Sequence, residues 1–145
     1  MLKVCVDRWE SLAPEARSRI HLALIPMSDA EENAAIVNAL QRRATVVVQK
    51  SIAEGFGLTV AEAMWKARPV VASRIGGIQD QIVDGESGVL IDPRDLDAYG
   101  AAVRTLLDDP ERAEAMGRAA HERVRDRFLG THSLLDFLTL LERLL

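Results

Sequence analysis

The feature that most constrains this chain is the way its apolar spacing changes along the sequence. Short valine-rich runs of strand length alternate with longer stretches of helical period. That order points to parallel strands joined by crossover helices. The runs Ile20 to Ile25, Ala44 to Gln49, Pro69 to Ser73 and Gly88 to Ile91 are the strand candidates. The second and third are rich in valine, as strands buried on both faces are. Helical spacing runs from Asp29 to Arg42 after a cap candidate at Ser28, and again from Leu58 to Lys66. Three further helices are predicted over Leu96 to Asp108, Glu111 to Arg127 and Ser133 to Leu145, punctuated by Pro93, Pro110 and Gly130. The segment Trp9 to Arg19 reads as helix interrupted by Pro14. The predicted fold class is α/β: a Rossmann-like parallel sheet with flanking helices, in a single domain over residues 1–145.

Composition narrows the range of partners. A formal net charge of -4 leaves no cationic excess to neutralise a phosphate backbone, and aromatic residues are only 4%, so nucleic acid is not expected. No apolar stretch approaches the ~20 residues of a membrane-spanning helix, so a membrane role is not expected. Cys5 has no second cysteine to pair with, and the first residues do not read as a signal peptide. A cytoplasmic location is the expectation. His21, His121 and His132 lack metal-ligand spacing, so no metal and no cofactor are expected.

The segment richest in chemistry runs from Ser51 to Met64, from a strand end into a helix. Gly55 and Gly57 let the backbone approach a ligand, while the following helix points unpaired N–H groups and a positive dipole end at the same place. A diphosphate suits that position. Glu54 and Glu62 are separated by seven residues and so do not form one acid/base pair by adjacency. Taken alone, they read as a helix-cap acid and an exposed helix residue. Gly76-Gly77 reads either as a turn before a short helix or as a loop that approaches the ligand. A nicotinamide-binding fingerprint is disfavoured because Gly55-Phe56-Gly57 lacks the third glycine, Val60 or a neighbour standing there instead.

The glutamate, seven residues, glutamate pattern at Glu54 and Glu62 resembles the signature of retaining GT-B glycosyltransferases in the glycogen-synthase and sucrose-synthase clan. Val46-Val47-Val48-Gln49-Lys50-Ser51, Glu62-Ala63-Met64-Trp65-Lys66 and Pro69-Val70-Val71-Ala72 are similar to trehalose glycosyltransferring synthases of glycosyltransferase family 4. Gly76-Gly77-Ile78-Gln79-Asp80-Gln81-Ile82-Val83-Asp84-Gly85 and Gly88-Val89-Leu90-Ile91 continue the resemblance in order. It covers the chain from about Asp29 onward.

The resemblance implies the nucleotide-sugar-binding C-terminal half of a GT-B fold, here without its opening strand. It places Glu54 beside the donor hexose as the catalytic residue. The amides of Gly55, Phe56 and Gly57 would lie on the sugar hydroxyls, Leu58 and Thr59 at the diphosphate, Glu62 on the ribose, and Gly76 and Gly77 in a donor loop. The implied reaction moves glucose from a nucleoside-diphosphate glucose to glucose with retention, the nucleotide sugar being a substrate. An N-terminal acceptor domain, and an opening that carries an Arg and a Lys on the diphosphate, are missing partners in this reading. The chain alone is therefore expected to bind nucleotide weakly and not to turn over. The alternative is a non-catalytic nucleotide-binding or oligomerisation module, with a homodimer formed through the incomplete sheet.

Overall fold

In the computed structural model, residues 2–144 are described, and the chain groups into two compact units that divide between Val37 and Asn38. The first unit holds α1 (Leu2–Glu10), α2 (Pro14–Arg17) and the start of α3 (Ala30–Arg43), which runs across the division. Pro14 opens α2, where its missing N–H costs no helical bond. Within this unit the indole N–H of Trp9 donates to Ile20 O (2.8 Å), and Arg17 lies over the Trp9 ring.

Two expectations fail here. The run Ile20 to Ile25 is irregular, not a strand, and Leu22 and Leu24 are exposed. Apolar β-formers make a strand only where a neighbouring strand offers a ladder and a surface to bury them, and among the described residues none pairs with this run. The cap of α3 is Asp29, not Ser28. Its Oδ1 accepts from the N–H groups of Glu31 (2.9 Å) and Glu32 (3.0 Å).

The second unit carries the sheet. Its elements are β1 (Val47–Gln49), α4 (Leu58–Trp65), β2 (Val70–Ser73), α5 (Ile78–Gln81), β3 (Val89–Ile91), α6 (Leu96–Asp108), α7 (Pro110–Arg127) and α8 (Gly130–Leu144). The strands are parallel in the order β1-β2-β3, with Val47 opposite Val70 and Val71 opposite Val89. All four residues of β2 are buried, which accounts for the apolar run Val70 to Ala72. Alternation along β2 divides the core. Val70 and Ala72 pack with Val60, Met64 and Ile78 and with Ala120 and Val124 of α7. Val71 faces the other way, against Tyr99, Leu106 and Met116. The sheet is thus covered on both faces, and each fully buried Val, Ile, Leu or Met contributes ~1.5–3 kcal/mol.

The three remaining predicted strands shorten by one to three residues, and α6 spans Leu96–Asp108 as predicted. Gly130 opens α8 and does not close a segment, and the last residue of that predicted helix, Leu145, lies outside the described residues. Among the described residues no helix is long and apolar enough to cross a membrane.

Candidate functional site

The turn between β1 and α4 leaves the carboxyl end of the sheet, where open α/β folds bind ligands. Gly57, the residue before α4, has φ 88° and ψ 53°, a left-handed conformation that glycine adopts without strain. A Cβ there would also come within 2.8 Å of Ile78 Cγ1. No side chain caps α4. Among the described residues, the N–H groups of Gly55, Phe56, Gly57, Leu58 and Thr59 have no acceptor, while the Gly57 carbonyl already accepts from Val60 and Ala61. Five consecutive donors without a protein acceptor thus lead into a helix start, which suits an anion or a row of hydroxyls.

Glu54 stands at the head of this turn, half-buried. Ser51 Oγ donates to Glu54 Oε2 (3.4 Å) and accepts from Gln49 Nε2 (3.0 Å). The Ser51 N–H donates to Ser73 Oγ (2.9 Å) at the end of β2, and that hydroxyl shares a buried hydrogen bond with the Tyr99 hydroxyl (2.7 Å). Glu54 is therefore oriented from two strands and from α6. Glu62 and Thr59 are exposed on α4. Below them Gln41 Nε2 donates to Thr59 O (3.4 Å), and Lys66 Nζ reaches Gln41 Oε1 (2.7 Å). Lys66 thus braces α4.

Gly76 and Gly77 pack directly against the turn. Gly76 has φ +50°, and a Cβ on it would lie 1.8 Å from Glu54 O; on Gly77 it would lie 2.5 Å from Gly55 O. The Gly77 N–H donates to that same Gly55 carbonyl (2.9 Å). Of the two readings left open for this pair, the structure shows the turn before a short helix, α5, and that turn lies against the Glu54 turn. Gln81 Nε2 donates to Phe56 O, and Arg123 donates from Nε to Gln81 O (2.6 Å) and from Nη2 to Asp80 O (2.7 Å). Sequence spacing does not single out Ser73, Tyr99, Gln81 or Arg123. A serine at a strand end and an arginine on a helix carry no period of their own, and the contacts that matter are long-range.

Other features lie apart from the turn. A groove of 530 Å³ borders Thr45, Arg68, Pro69 and Arg118, at the amino ends of β1 and β2. Two of its arginines are engaged: Arg68 donates to Ala44 O (3.4 Å), and Arg118 pairs with Glu114 (2.8 Å). His121 donates from Nδ1 to Trp65 O (2.6 Å) and its ring lies 4.6 Å from the indole, so it ties α7 to α4. Burial pushes the Asp84 carboxyl up, but hydrogen bonds from the Leu90 N–H (2.9 Å) and from Arg74, with the charge of Arg74, outweigh this and hold it below the ordinary carboxylate value.

A parallel sheet covered on both faces, with a glycine turn and an uncapped helix at its carboxyl end, places this chain among ligand-binding α/β folds. Residues 12–123 match the family described as glycosyl transferases group 1. The chain belongs to that family, and its fold is that of the C-terminal domain of a GT-B glycosyltransferase. It is 56% identical over 109 residues to the trehalose synthase of Rubrobacter xylanophilus, covering 75% of this chain and 26% of that protein. Trehalose synthase of Pyrococcus horikoshii is 49% identical over 108 residues, again covering 26% of that protein. The solved sucrose-phosphate synthase from Thermosynechococcus elongatus is 32% identical, with a TM-score of 0.72 over 97% of this chain and 34% of that one. Anabaena HepE in complex with UDP-glucose is 26% identical, with a TM-score of 0.61 over 63% of this chain and 26% of that one.

Proposed function

We propose that this chain is the donor-binding part of a retaining glycosyltransferase that moves glucose from a nucleoside-diphosphate glucose to glucose, forming trehalose. The observation that carries this reading is the run of five backbone donors, Gly55 to Thr59, that lack an acceptor among the described residues, immediately after Glu54. Glu54 lies beside the hexose in this scheme. The amides of Gly55, Phe56 and Gly57 hold its hydroxyls, and Leu58 and Thr59 at the start of α4 stabilise the charge that grows on the departing diphosphate. Glu62 accepts hydrogen bonds from the ribose diol. Gly76 and Gly77 shape the donor loop from below. No metal or cofactor takes part, and the reaction belongs in the cytoplasm. The acceptor sugar is held by an N-terminal GT-B domain outside this sequence. Similarity to proteins named trehalose synthase, and to a relative solved with UDP-glucose, supports the choice of donor.

The chain by itself has a helix start worth ~0.3–1 kcal/mol, at most about 2, toward an anion, whereas a charged partner adds ~1.5–3 kcal/mol per hydrogen bond. Millimolar affinity needs about 4 kcal/mol. Calorimetry of this chain with UDP-, ADP- and GDP-glucose is expected to give a millimolar dissociation constant for one of them, without glucosyl transfer. A micromolar constant contradicts the weak-binding part of the proposal, and no heat with any of the three at several times millimolar concentration contradicts the donor site.

A second reading, a non-catalytic module that assembles through its sheet, rests on β1 lying at a sheet edge among the described residues with Val48 exposed. Sedimentation that stays monomeric at high concentration excludes it.

A further inference from the structure

We propose that Arg123 and Gln81 are positioning residues for the donor turn, fastening it to α7 so that its amides keep one geometry; this rests on the donor reading of Gly55 to Thr59. The link between turn and α7 is α5, which is four residues long. A helix of one turn does not persist on its own, and its last carbonyls have no partners within it. Arg123 takes two of those carbonyls, Asp80 O and Gln81 O, with one guanidinium. The planar fork of arginine matches two adjacent acceptors in a way that a lysine ammonium does not.

From α5 two bonds run up to the turn. Gly77, at its start, donates to Gly55 O, and Gln81, at its end, donates from its side chain to Phe56 O. The peptide units whose N–H groups face the ligand are thus held through their carbonyls. A second tie runs beside the first: the Phe56 ring meets the Phe128 ring edge-on at 6.2 Å, and Arg123 lies 5.9 Å above the Phe128 ring. Arg123 touches both ties.

The chemistry of Gln81 supports a positional role. Its side chain is fully buried, and among the described residues its Oε1 has no hydrogen-bond partner. Leaving a buried acceptor unpaired costs ~1–3 kcal/mol, whereas a methionine of similar shape at this place would avoid that loss. An amide retained for its donor half, at a cost in stability, is the kind of local conflict that marks a functional constraint.

The test compares Gln81→Met, Arg123→Met and Arg123→Lys with Leu106→Ala, a core change on the other face of the sheet. Two quantities are read: hydrogen exchange of the Gly77 amide and the affinity for UDP-glucose from amide shifts. Arg123→Met is expected to speed Gly77 exchange and raise the dissociation constant about tenfold each, the effect of one charged hydrogen bond lost. Arg123→Lys, which keeps the charge and stem but not the fork, is expected to fall between. Gln81→Met is expected to leave the melting temperature unchanged or higher while weakening binding, a combination that loss of stability alone does not produce. Leu106→Ala lowers the melting temperature without the local effects. Exchange and affinity in Arg123→Met no different from those in Leu106→Ala overturn the assignment, and so does faster exchange with unchanged affinity. If the unmodified chain shows no shift with UDP-, ADP- or GDP-glucose, the donor reading fails, and the clamp is judged by Gly77 exchange alone.

Discussion

Helices α4 and α7 begin in opposite ways. Before α7, Asp109 accepts from the Arg112 N–H (3.0 Å), and Pro110 at the first position removes a donor that would otherwise be unpaired. Asp95 does the same for α6 with Ala98 (2.9 Å). Before α4 stands Gly57, with no capping side chain, in a left-handed backbone conformation. A helix that caps itself has its dipole answered locally, whereas α4 leaves its start to something from outside. What holds α4 in place is its burial through Val60, Ala63 and Met64, so its amino end is relieved of a structural duty.

The comparison breaks most severely at Gly76. Gly76→Ala places a Cβ into the Glu54 carbonyl at a backbone φ that disfavours it, and about 3 kcal/mol of destabilisation is expected in urea unfolding, with loss of nucleotide binding. Wild-type stability would show that this loop gives way easily and does not define the turn. Thr59→Glu sharpens the contrast, because a carboxylate in the first turn answers the dipole. Helix stability should rise by about 0.3–1 kcal/mol while UDP-glucose affinity falls severalfold from repulsion of the diphosphate. Both quantities moving the same way would mean that the start of α4 is ordinary surface. Asp109→Ala removes the cap of α7 and should cost about 1 kcal/mol in thermal unfolding, with donor binding unchanged. The smallest effect is expected at Asp84, a carboxylate that serves structure. Its folded-state pKa is depressed, so its contribution is present above the ordinary carboxylate pKa and is lost as pH falls through the lowered value. With the Arg74 pair exposed, that contribution is a fraction of a kcal/mol. An acid titration of stability should flatten slightly in Arg74→Met.

Much of this architecture was legible because it is periodic. Val70 to Ala72 declares a buried strand by being apolar throughout, and Leu96 to Asp108 declares a helix by its spacing. The turn was legible because glycines at Gly55 and Gly57 between a strand and a helix have few other uses. Ile20 to Ile25 misled because apolar β-formers do not reveal whether a partner strand exists. Ser28 misled because Asp29 stands beside it with an equally good capping oxygen. The parts of the site that sequence spacing left dark are those made by distant contacts: Ser73 and Tyr99 behind Ser51, and Gln81 and Arg123 behind Phe56. Resemblance named the residues proposed to meet the donor. The side chains that contact the turn from distant elements appear only in the fold.

The most direct measurement is an amide-shift NMR titration of the unmodified chain with UDP-, ADP- and GDP-glucose in turn. Shifts that saturate together at Gly55 to Thr59 and at Glu62, with the starts of α6 and α7 unmoved, are the predicted result. Shifts confined to other surfaces, or none at millimolar ligand, would contradict the claim that α4 leaves its amino end open for a nucleotide sugar.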